Sequence, residues 1–370
     1  MVPRSMMQTR LQRLRTALEA QGLDGLIITS AANRRYMSGF AGSAGLLIVT
    51  ADRALLLTDF RYQERVKDEA PGWEFWLLSP PEASDARLIA RAVAELHPGV
   101  LGFEAAHVSV ASFRSWEEAL KEQGATVELR ATTDIVEDLR AVKDATELAT
   151  LERAIAITDQ AFAAVRAMLR PEMTERDVAW ELEQAIRRAG GDGLAFPTIV
   201  AAGTNGASPH AVPGDQPIGI GRPITIDVGA LVDGYHGDMT RTLILGHADD
   251  KFRQVYDVVL AANAAATAGI RPGMLSSDAH ALAHDVIKAA GYGDAFGHGL
   301  GHGVGLVIHE APWMRRSGDG LMPEGAVFSI EPGIYLPGWG GVRIEDLVLL
   351  QPDGPRTLTQ SSKDPLVIIE

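Results

Sequence analysis

Ile224-Thr225-Ile226-Asp227-Val228-Gly229-Ala230-Leu231-Val232-Asp233-Gly234-Tyr235-His236-Gly237-Asp238-Met239-Thr240-Arg241-Thr242 reads as a β-hairpin closed by a two-residue turn. Asp233-Gly234 is a strong short-range hairpin signal, because both central residues of a type I′ turn need positive φ. Counting outward from that turn, Val232 pairs with Tyr235, Gly229 with Asp238 and Asp227 with Thr240. Strand side chains alternate between faces, so Asp227, Gly229 and Asp238 share one face, the two aspartates as diagonal neighbours roughly 7–8 Å apart at the backbone. Two carboxylates then reach toward one point. Gly229 between them is expected to leave that point free of side chain.

The same alternation applies further along the chain. In Val327 to Glu331 the apolar Phe328 and Ile330 alternate with Ser329 and Glu331, so Glu331 points away from the packed side. In Gly341-Val342-Arg343-Ile344-Glu345-Asp346, Val342 and Ile344 turn to the core while Arg343 and Glu345 share the other face. His302 lies in the glycine-rich run Gly299-Leu300-Gly301-His302-Gly303-Val304-Gly305-Leu306. Taken singly these are weak signals: an Asp at a strand end is commonly a cap, Glu345 could pair with Arg343, and His302 could be a loop histidine. Together, Asp227, Asp238, His302, Glu331 and Glu345 would bring four carboxylates and one imidazole to one place, a repulsion that requires cations to neutralise it. The pattern reads as a metalloenzyme.

Composition narrows the alternatives. At 370 residues the chain exceeds the usual single-core limit, so two domains are expected, and 46% hydrophobic content is ample for their burial. A net charge of −14 argues against a nucleic-acid or anionic-membrane surface, both of which want basic patches. The absence of cysteine excludes disulfides, thiolate zinc sites and a cysteine nucleophile. The stretch Met1 to Ala20 is charged and periodic without an apolar core, and no later stretch approaches a membrane span, so a cytoplasmic enzyme is expected. Met1-Val2-Pro3-Arg4-Ser5 reads as a cloning remnant ahead of Met6 or Met7. Other catalytic motifs fail on spacing. Gly301 to Gly305 lacks the G-x-G-x-x-G pattern and a lysine partner, His309-Glu310 meets Trp313 where a zincin helix needs its second histidine, and Ala41 to Gly45 misses the first glycine of a nucleophile elbow.

The amino-terminal part alternates helical and strand patterns: an amphipathic helix over 7–21, short apolar strands over 25–30, 45–49 and 53–58, and helices over 84–96 and 109–123, which make a small α/β domain. The boundary falls between Thr132 and Arg140, and a long helical pattern from Val142 to Leu169, opened by Asp144 and Glu147, starts the second domain. That domain carries an internal repeat. Arg170-Pro171-Glu172-Met173-Thr174 leads a helix ending at Arg188-Ala189-Gly190 and followed by Phe196. Arg271-Pro272-Gly273-Met274-Leu275 leads one ending at Ala289-Ala290-Gly291 and followed by Phe296, an offset of 101 residues that also matches Asp177 to Asp278. Two related halves about a pseudo-two-fold axis follow, unless the helices merely share capping chemistry.

The five motifs, in this order, resemble the ligand signature of the pita-bread metallopeptidases, the family of methionine aminopeptidase, Xaa-Pro aminopeptidase and prolidase. Tyr36-Met37-Ser38-Gly39-Phe40, Thr58-Asp59-Phe60-Arg61-Tyr62 and Leu139-Arg140-Ala141-Val142-Lys143 resemble the creatinase-like amino-terminal domain and linker of its proline-specific branch, so the resemblance covers nearly the whole chain. It implies an α/β (α+β) architecture, with a creatinase-like domain over 7–135 and a pita-bread catalytic domain over 140–370. It implies two divalent metal ions, Asp227 holding one, His302 and Glu331 the other, and Asp238 and Glu345 bridging. Such a pair polarises the scissile carbonyl and activates water near neutral pH. Glu331 is then the proton shuttle, His210 in Ser208-Pro209-His210-Ala211-Val212-Pro213 and His309 stabilise the oxygen of the tetrahedral intermediate, and His298, Tyr335 and Arg343 are pocket residues. Oxygen-rich ligation with one imidazole suits manganese, or cobalt, with zinc as the remaining candidate.

The reaction implied is hydrolysis of an amino-terminal Xaa-Pro bond in small peptides, by a homodimer with no nucleic-acid or membrane partner. A bond to proline nitrogen is a tertiary amide without N–H, so a shaped, dry pocket must grip it. Prolidases tend to clamp the product carboxylate with a cation where this chain has Trp313, although Arg315 and Arg316 follow. The expectation is therefore an Xaa-Pro aminopeptidase acting on oligopeptides, the alternative being an Xaa-Pro dipeptidase. Metal-free creatinase-like hydrolases and non-enzymatic binding proteins share the fold; five intact ligand positions count against both.

Overall fold

The computed structural model describes residues 4–78 and 84–367. Met1, Val2 and Pro3 of the supposed remnant, and the last three residues of the 140–370 domain, lie outside the described residues. Arg4 and Ser5 of that stretch belong to the first helix, Arg4–Ala20, which starts earlier than its apolar stripe indicates. The chain divides into two compact units, Met1–Arg140 and Ala141–Glu370.

In the first unit six strands form one mixed sheet in the order Glu74–Leu78, Ala54–Asp59, Leu46–Thr50, Gly25–Ile28, Val100–Glu104, Glu128–Thr132. Gly25–Ile28 is buried along its whole length and pairs antiparallel with Leu46–Thr50 and parallel with Val100–Glu104, which is why it reads as a continuous apolar run. Leu88, Ile89, Trp116 and Leu120 of helices Asp85–Leu96 and Val110–Glu122 pack with Ile27, Ile48 and Leu55 of the sheet. Sequence periodicity missed the strands Glu74–Leu78, Val100–Glu104 and Glu128–Thr132, and also helix Ala31–Ser38. That helix buries Asn33 and Arg34, polar residues that find partners only in the tertiary structure: Asn33 donates to Glu104 at 2.7 Å and Arg34 to the carbonyl of Gly45 at 2.7 Å.

The second unit is built twice over. Helices Ala145–Arg166 and Glu175–Arg188 precede the antiparallel strands Ile199–Ala202, Pro223–Val228 and Met239–Leu245. Helices Asp250–Gly269 and Ser276–Ala289 precede Gly301–Gly303, Val327–Ile330 and Asp346–Gln351, likewise antiparallel. Even isolated bridges recur, Thr174 with Pro217 and Leu275 with Leu321. Shared capping does not explain the likeness. Thr174 and Asp177 form a reciprocal capping box at the first helix, whereas Leu275 offers no side-chain cap to the second. The repeat is one of architecture. Asp144 and Glu147 do form the capping box that opens helix Ala145–Arg166.

The halves are joined where the acidic motifs lie. Glu345 N donates to the Thr240 carbonyl at 3.0 Å, and Thr242 Oγ1 both accepts from Arg343 N and donates to Arg343 O, each at 3.0 Å. Arg241, 1% exposed, donates to Asp346 at 2.7 Å and to the Ser361 carbonyl at 2.8 Å. A buried guanidinium needs this many acceptors, and they lock one half's strand against the other's. Among the described residues no helix is long and apolar enough to cross a membrane.

His280 is buried in the core with both ring nitrogens unsatisfied. It lies 4% exposed between the rings of His284 and Phe296, with centroids at 5.6 and 5.5 Å, and neither ring nitrogen has a hydrogen-bond partner. Burial, then the neighbouring His284, pushes its pKa down to about 4. In the unfolded chain it titrates near 6.5. Between those values the unfolded state binds a proton that the folded state refuses, so stability is full above about pH 6.5 and falls as the pH drops toward 4. His280→Phe is expected to remove on the order of 2–3 kcal/mol of that acid-side loss, read as a smaller difference between urea midpoints at pH 7.5 and 4.5 than in the wild type.

Candidate metal centre

The hairpin forms in the expected register. Val232 pairs with Tyr235, Val228 with Met239 and Asp227 with Thr240, and the turn residues Asp233 and Gly234 take φ of 47° and 71°. Gly229 has a different reason from the one expected. A Cβ there would lie 1.9 Å from the Gly237 carbonyl oxygen and 2.9 Å from the Phe196 ring, so glycine allows the hairpin backbone and Phe196 to close up rather than leaving room between the aspartates. Val342 and Ile344 are fully buried in the core, as are Phe328 and Ile330, which turns Arg343, Glu345 and Glu331 to the opposite side.

Asp227, Asp238, His302, Glu331 and Glu345 all line one cavity of about 630 Å³, together with His210, His298, His309 and Arg343. Asp238, His302 and Glu345 each bring a ligand-type atom within 4.8 Å of the others. His302 Nε2 lies 3.3 Å from Glu331 Oε1 and 3.8 Å from Asp238 Oδ2. The imidazole is oriented from behind: its Nδ1 donates to the Gly303 carbonyl at 3.1 Å, which leaves Nε2 facing the acids. His302 sits on the short strand Gly301–Gly303 rather than in a loop.

Charge accounting decides what this cluster is for. Arg343 donates to Asp227 Oδ2 at 2.7 Å, and His302 pairs with Glu331. Those two cations face four carboxylates. Burial, followed by the neighbouring acids, pushes Asp238 and Glu345 well above the usual carboxylate range. Burial also opposes charge at Glu331 and His302, yet their mutual hydrogen bond and attraction win, taking Glu331 down to about 2 and His302 up to about 9. Asp227 Oδ1 is buried with no hydrogen-bond partner, while its other oxygen is held by Arg343. Thr240 donates to Glu345 Oε2 at 2.7 Å and Ser329 to Glu331 Oε1 at 3.1 Å, so Glu345 and Glu331, like Asp227, are each steered by one oxygen. An orphaned acceptor and two carboxylates whose charge no protein cation covers fit divalent ions with oxygen-rich ligation.

The expected pocket residues divide into lining and backing. His210 and His309 are exposed on the cavity wall. His298 lines it too, but its Nδ1 donates to the Gly299 carbonyl at 2.8 Å and its Nε2 accepts from the Tyr335 hydroxyl at 3.0 Å, which leaves neither nitrogen for a substrate. Tyr335, 8% exposed, is absent from the cavity wall; it accepts from Arg343 at 2.8 Å and passes that orientation to His298. Arg343 is committed to Asp227, Tyr335 and Thr240. Sequence reading missed Thr240, although alternation from Asp238 puts it on the same face. It also missed Phe196 and Ile199, which only tertiary folding brings to the wall. Arg315 lines the cavity with its guanidinium 4.3 Å from the Trp313 ring, whereas Arg316 turns to His284 at 2.9 Å.

Comparison with known proteins identifies the family and the fold. Residues 149–352 match Metallopeptidase family M24 and residues 10–142 the Creatinase/Prolidase N-terminal domain. The Xaa-Pro dipeptidase of Pyrococcus furiosus is 34% identical over 97% of this chain and 99% of its own length. Among solved structures, an Xaa-Pro dipeptidase from Bacillus anthracis superposes with a TM-score of 0.93 at 37% identity, covering 98% of this chain and 100% of that one. The X-Pro aminopeptidase from Thermotoga maritima gives 0.88 at 33% identity, covering 97% and 100%. The chain is a peptidase that belongs to metallopeptidase family M24, with a creatinase-like amino-terminal domain ahead of a pita-bread domain.

Proposed function

We propose that the protein hydrolyses the Xaa-Pro bond of dipeptides at a pair of divalent ions held by Asp227, Asp238, His302, Glu331 and Glu345. The observation that carries the metal assignment is the excess of converging carboxylates over protein cations. In this reading Asp227 serves one ion, His302 and Glu331 the other, and Asp238 and Glu345 both. Manganese or cobalt suits the oxygen-rich set best, with zinc next. When bound, the ions supply Lewis acidity to the scissile carbonyl and lower the pKa of water.

The chain's own groups do the rest. In this reading Glu331, whose carboxylate accepts from Ser329, takes a proton from the attacking water and returns it to the leaving proline nitrogen. A proline nitrogen leaves poorly unless protonated, so this transfer matters as much as the attack. Partial desolvation at the cavity wall and then the neighbouring His302 lower the His309 pKa, so at neutral pH one ring nitrogen carries a hydrogen to donate to the developing oxyanion, and His210 faces the same cavity. The Arg343–Tyr335–His298 chain holds Asp227 and one wall rigid. The free amine of the substrate meets carboxylates, and its other end needs a cation.

That cation favours the dipeptide reading over the oligopeptide one expected from Trp313. Arg315, just past the end of the strand that carries Trp313, lines the cavity and stacks on that indole, where it can meet a carboxylate one residue beyond the scissile bond. The Pyrococcus furiosus and Bacillus anthracis relatives are both called Xaa-Pro dipeptidases. The competing reading, cleavage of longer Xaa-Pro peptides, draws on the cavity's volume of about 630 Å³ and on the likeness to the Thermotoga maritima enzyme.

Turnover of Xaa-Pro against Xaa-Pro-Yaa peptides separates the two. After chelation and reloading with manganese, cobalt or zinc, kcat/KM for the dipeptide is expected to exceed that for the tripeptide by at least about tenfold; equal values would favour the longer-peptide enzyme, and no turnover with any ion would end the peptidase reading at this bond. Arg315→Ala is expected to raise KM for the dipeptide about tenfold, the loss of one charge-assisted contact worth about 1.4 kcal/mol, with little change in kcat. Glu345→Ala is expected to abolish both metal retention, measured by elemental analysis, and Xaa-Pro cleavage; a variant with wild-type turnover refutes its bridging role.

A further inference from the structure

Lys143 is a buried cation of the catalytic unit for which no ligand or substrate role has been argued. Its side chain is 0% exposed and its ammonium lies 2.7 Å from Glu310 Oε1, itself only 7% exposed. The pair is built from two directions. The backbone at 142–143 is strapped to the far side of the fold, with Val142 bridging Ala326 and Lys143 N donating to the Gly325 carbonyl at 3.0 Å. Glu310 closes the tight segment that begins at Val304, where Val307 N approaches Glu310 Oε2 at 3.4 Å. The fit leaves no slack: a Cβ on Gly305 would lie 2.3 Å from Glu310 Oε1. Leu306 and Ile308 pack beneath, against the cluster of Val304, Val327 and Leu347. His309, next to Glu310, faces the cavity together with Ile308, its ring 4.3 Å from that of His302.

A buried ion pair gains little stability over an apolar pair of the same size, because desolvation offsets the attraction; its distinctive effect is to define one geometry. We propose that Lys143 and Glu310 are positioning residues that fix the 304–310 segment and thereby hold His309 at the reacting carbonyl, a role that rests on the reading of His309 given above. Glu310 meets Lys143 and the Val307 amide together only when the segment is folded as seen, and the histidine is one peptide bond away. The helical cores on either side do not depend on this contact, so its loss should loosen the segment locally.

Hydrogen exchange and kinetics on the full chain test the pair. In Lys143→Met and in Glu310→Gln, amides of 304–310 are expected to exchange at least about tenfold faster than in the wild type, while those of helix Ala145–Arg166 keep their rates. In the manganese-loaded, folded variants kcat for an Xaa-Pro dipeptide is expected to fall about tenfold or more, with KM within about threefold, and the double variant should lose no more than the worse single one, since the two act as a unit. Unchanged local exchange, or kcat within twofold of wild type in a folded variant, overturns the proposal. Should Lys143→Met not fold, Glu310→Gln, which keeps the shape of the side chain, carries the same test. If the wild type cleaves no Xaa-Pro peptide, the functional reading fails by itself, and exchange in the 304–310 segment alone decides the pair.

Discussion

Like charges forced together in a buried place set the terms for this molecule. Asp227, Asp238, Glu331 and Glu345 come from four separate motifs, and the protein offers Arg343 and His302 against them. Each carboxylate costs desolvation energy, and each raises the cost of ionising its neighbours. Nothing in the hydrophobic effect favours such an assembly. It is held because rigid elements on all sides leave the acids no alternative: the hairpin register fixes two of them, and two core-facing residues beside each of the others fix the rest. Divalent cations relieve the strain, so the affinity of the site and its tension in their absence are one property.

Around that centre the fold spends its precision on orientation. Thr240, Ser329 and Arg343 each take one oxygen of a carboxylate, and the Gly303 carbonyl fixes the tautomer of His302. The Arg343–Tyr335–His298 chain extends the same logic one layer outward, orienting Asp227 and His298 at the cavity wall. The histidine segments are treated alike. Glu175 accepts from Ala202 N, Asn205 Nδ2 and Gly214 N at 2.7 to 2.8 Å, clamping both ends of the stretch that carries His210. Glu310 with Lys143 closes the stretch that carries His309. Each half of the repeat thus supplies an exposed histidine from a segment pinned by a buried glutamate.

That duplication also explains where the site lies. Two structurally related halves meet along Thr240, Thr242, Arg343 and Glu345, and the seam is joined by backbone and threonine hydrogen bonds and by the buried Arg343 side chain. The acids beside this polar seam face into the cavity. Arg241 and Asp346, buried beside the seam, resist its opening.

What the chain's local pattern could say, it said through short-range rules. A two-residue Asp-Gly turn fixes the pairing of Asp227 with Thr240, and period-two alternation assigns faces to Arg343, Glu345 and Glu331, because both depend on nothing beyond neighbouring backbone geometry. Repeat spacing likewise exposed the two halves. The convergence of four motifs, the orphaned oxygen of Asp227, the withdrawal of Tyr335 behind Arg343 and the divergence of Arg315 from Arg316 were beyond such rules. So were the true reason for Gly229 and the helix Ala31–Ser38 with its buried Asn33 and Arg34. Each of these is set by contacts between residues far apart in the chain, whose partners, burial and charge exist only once the strands and helices have packed.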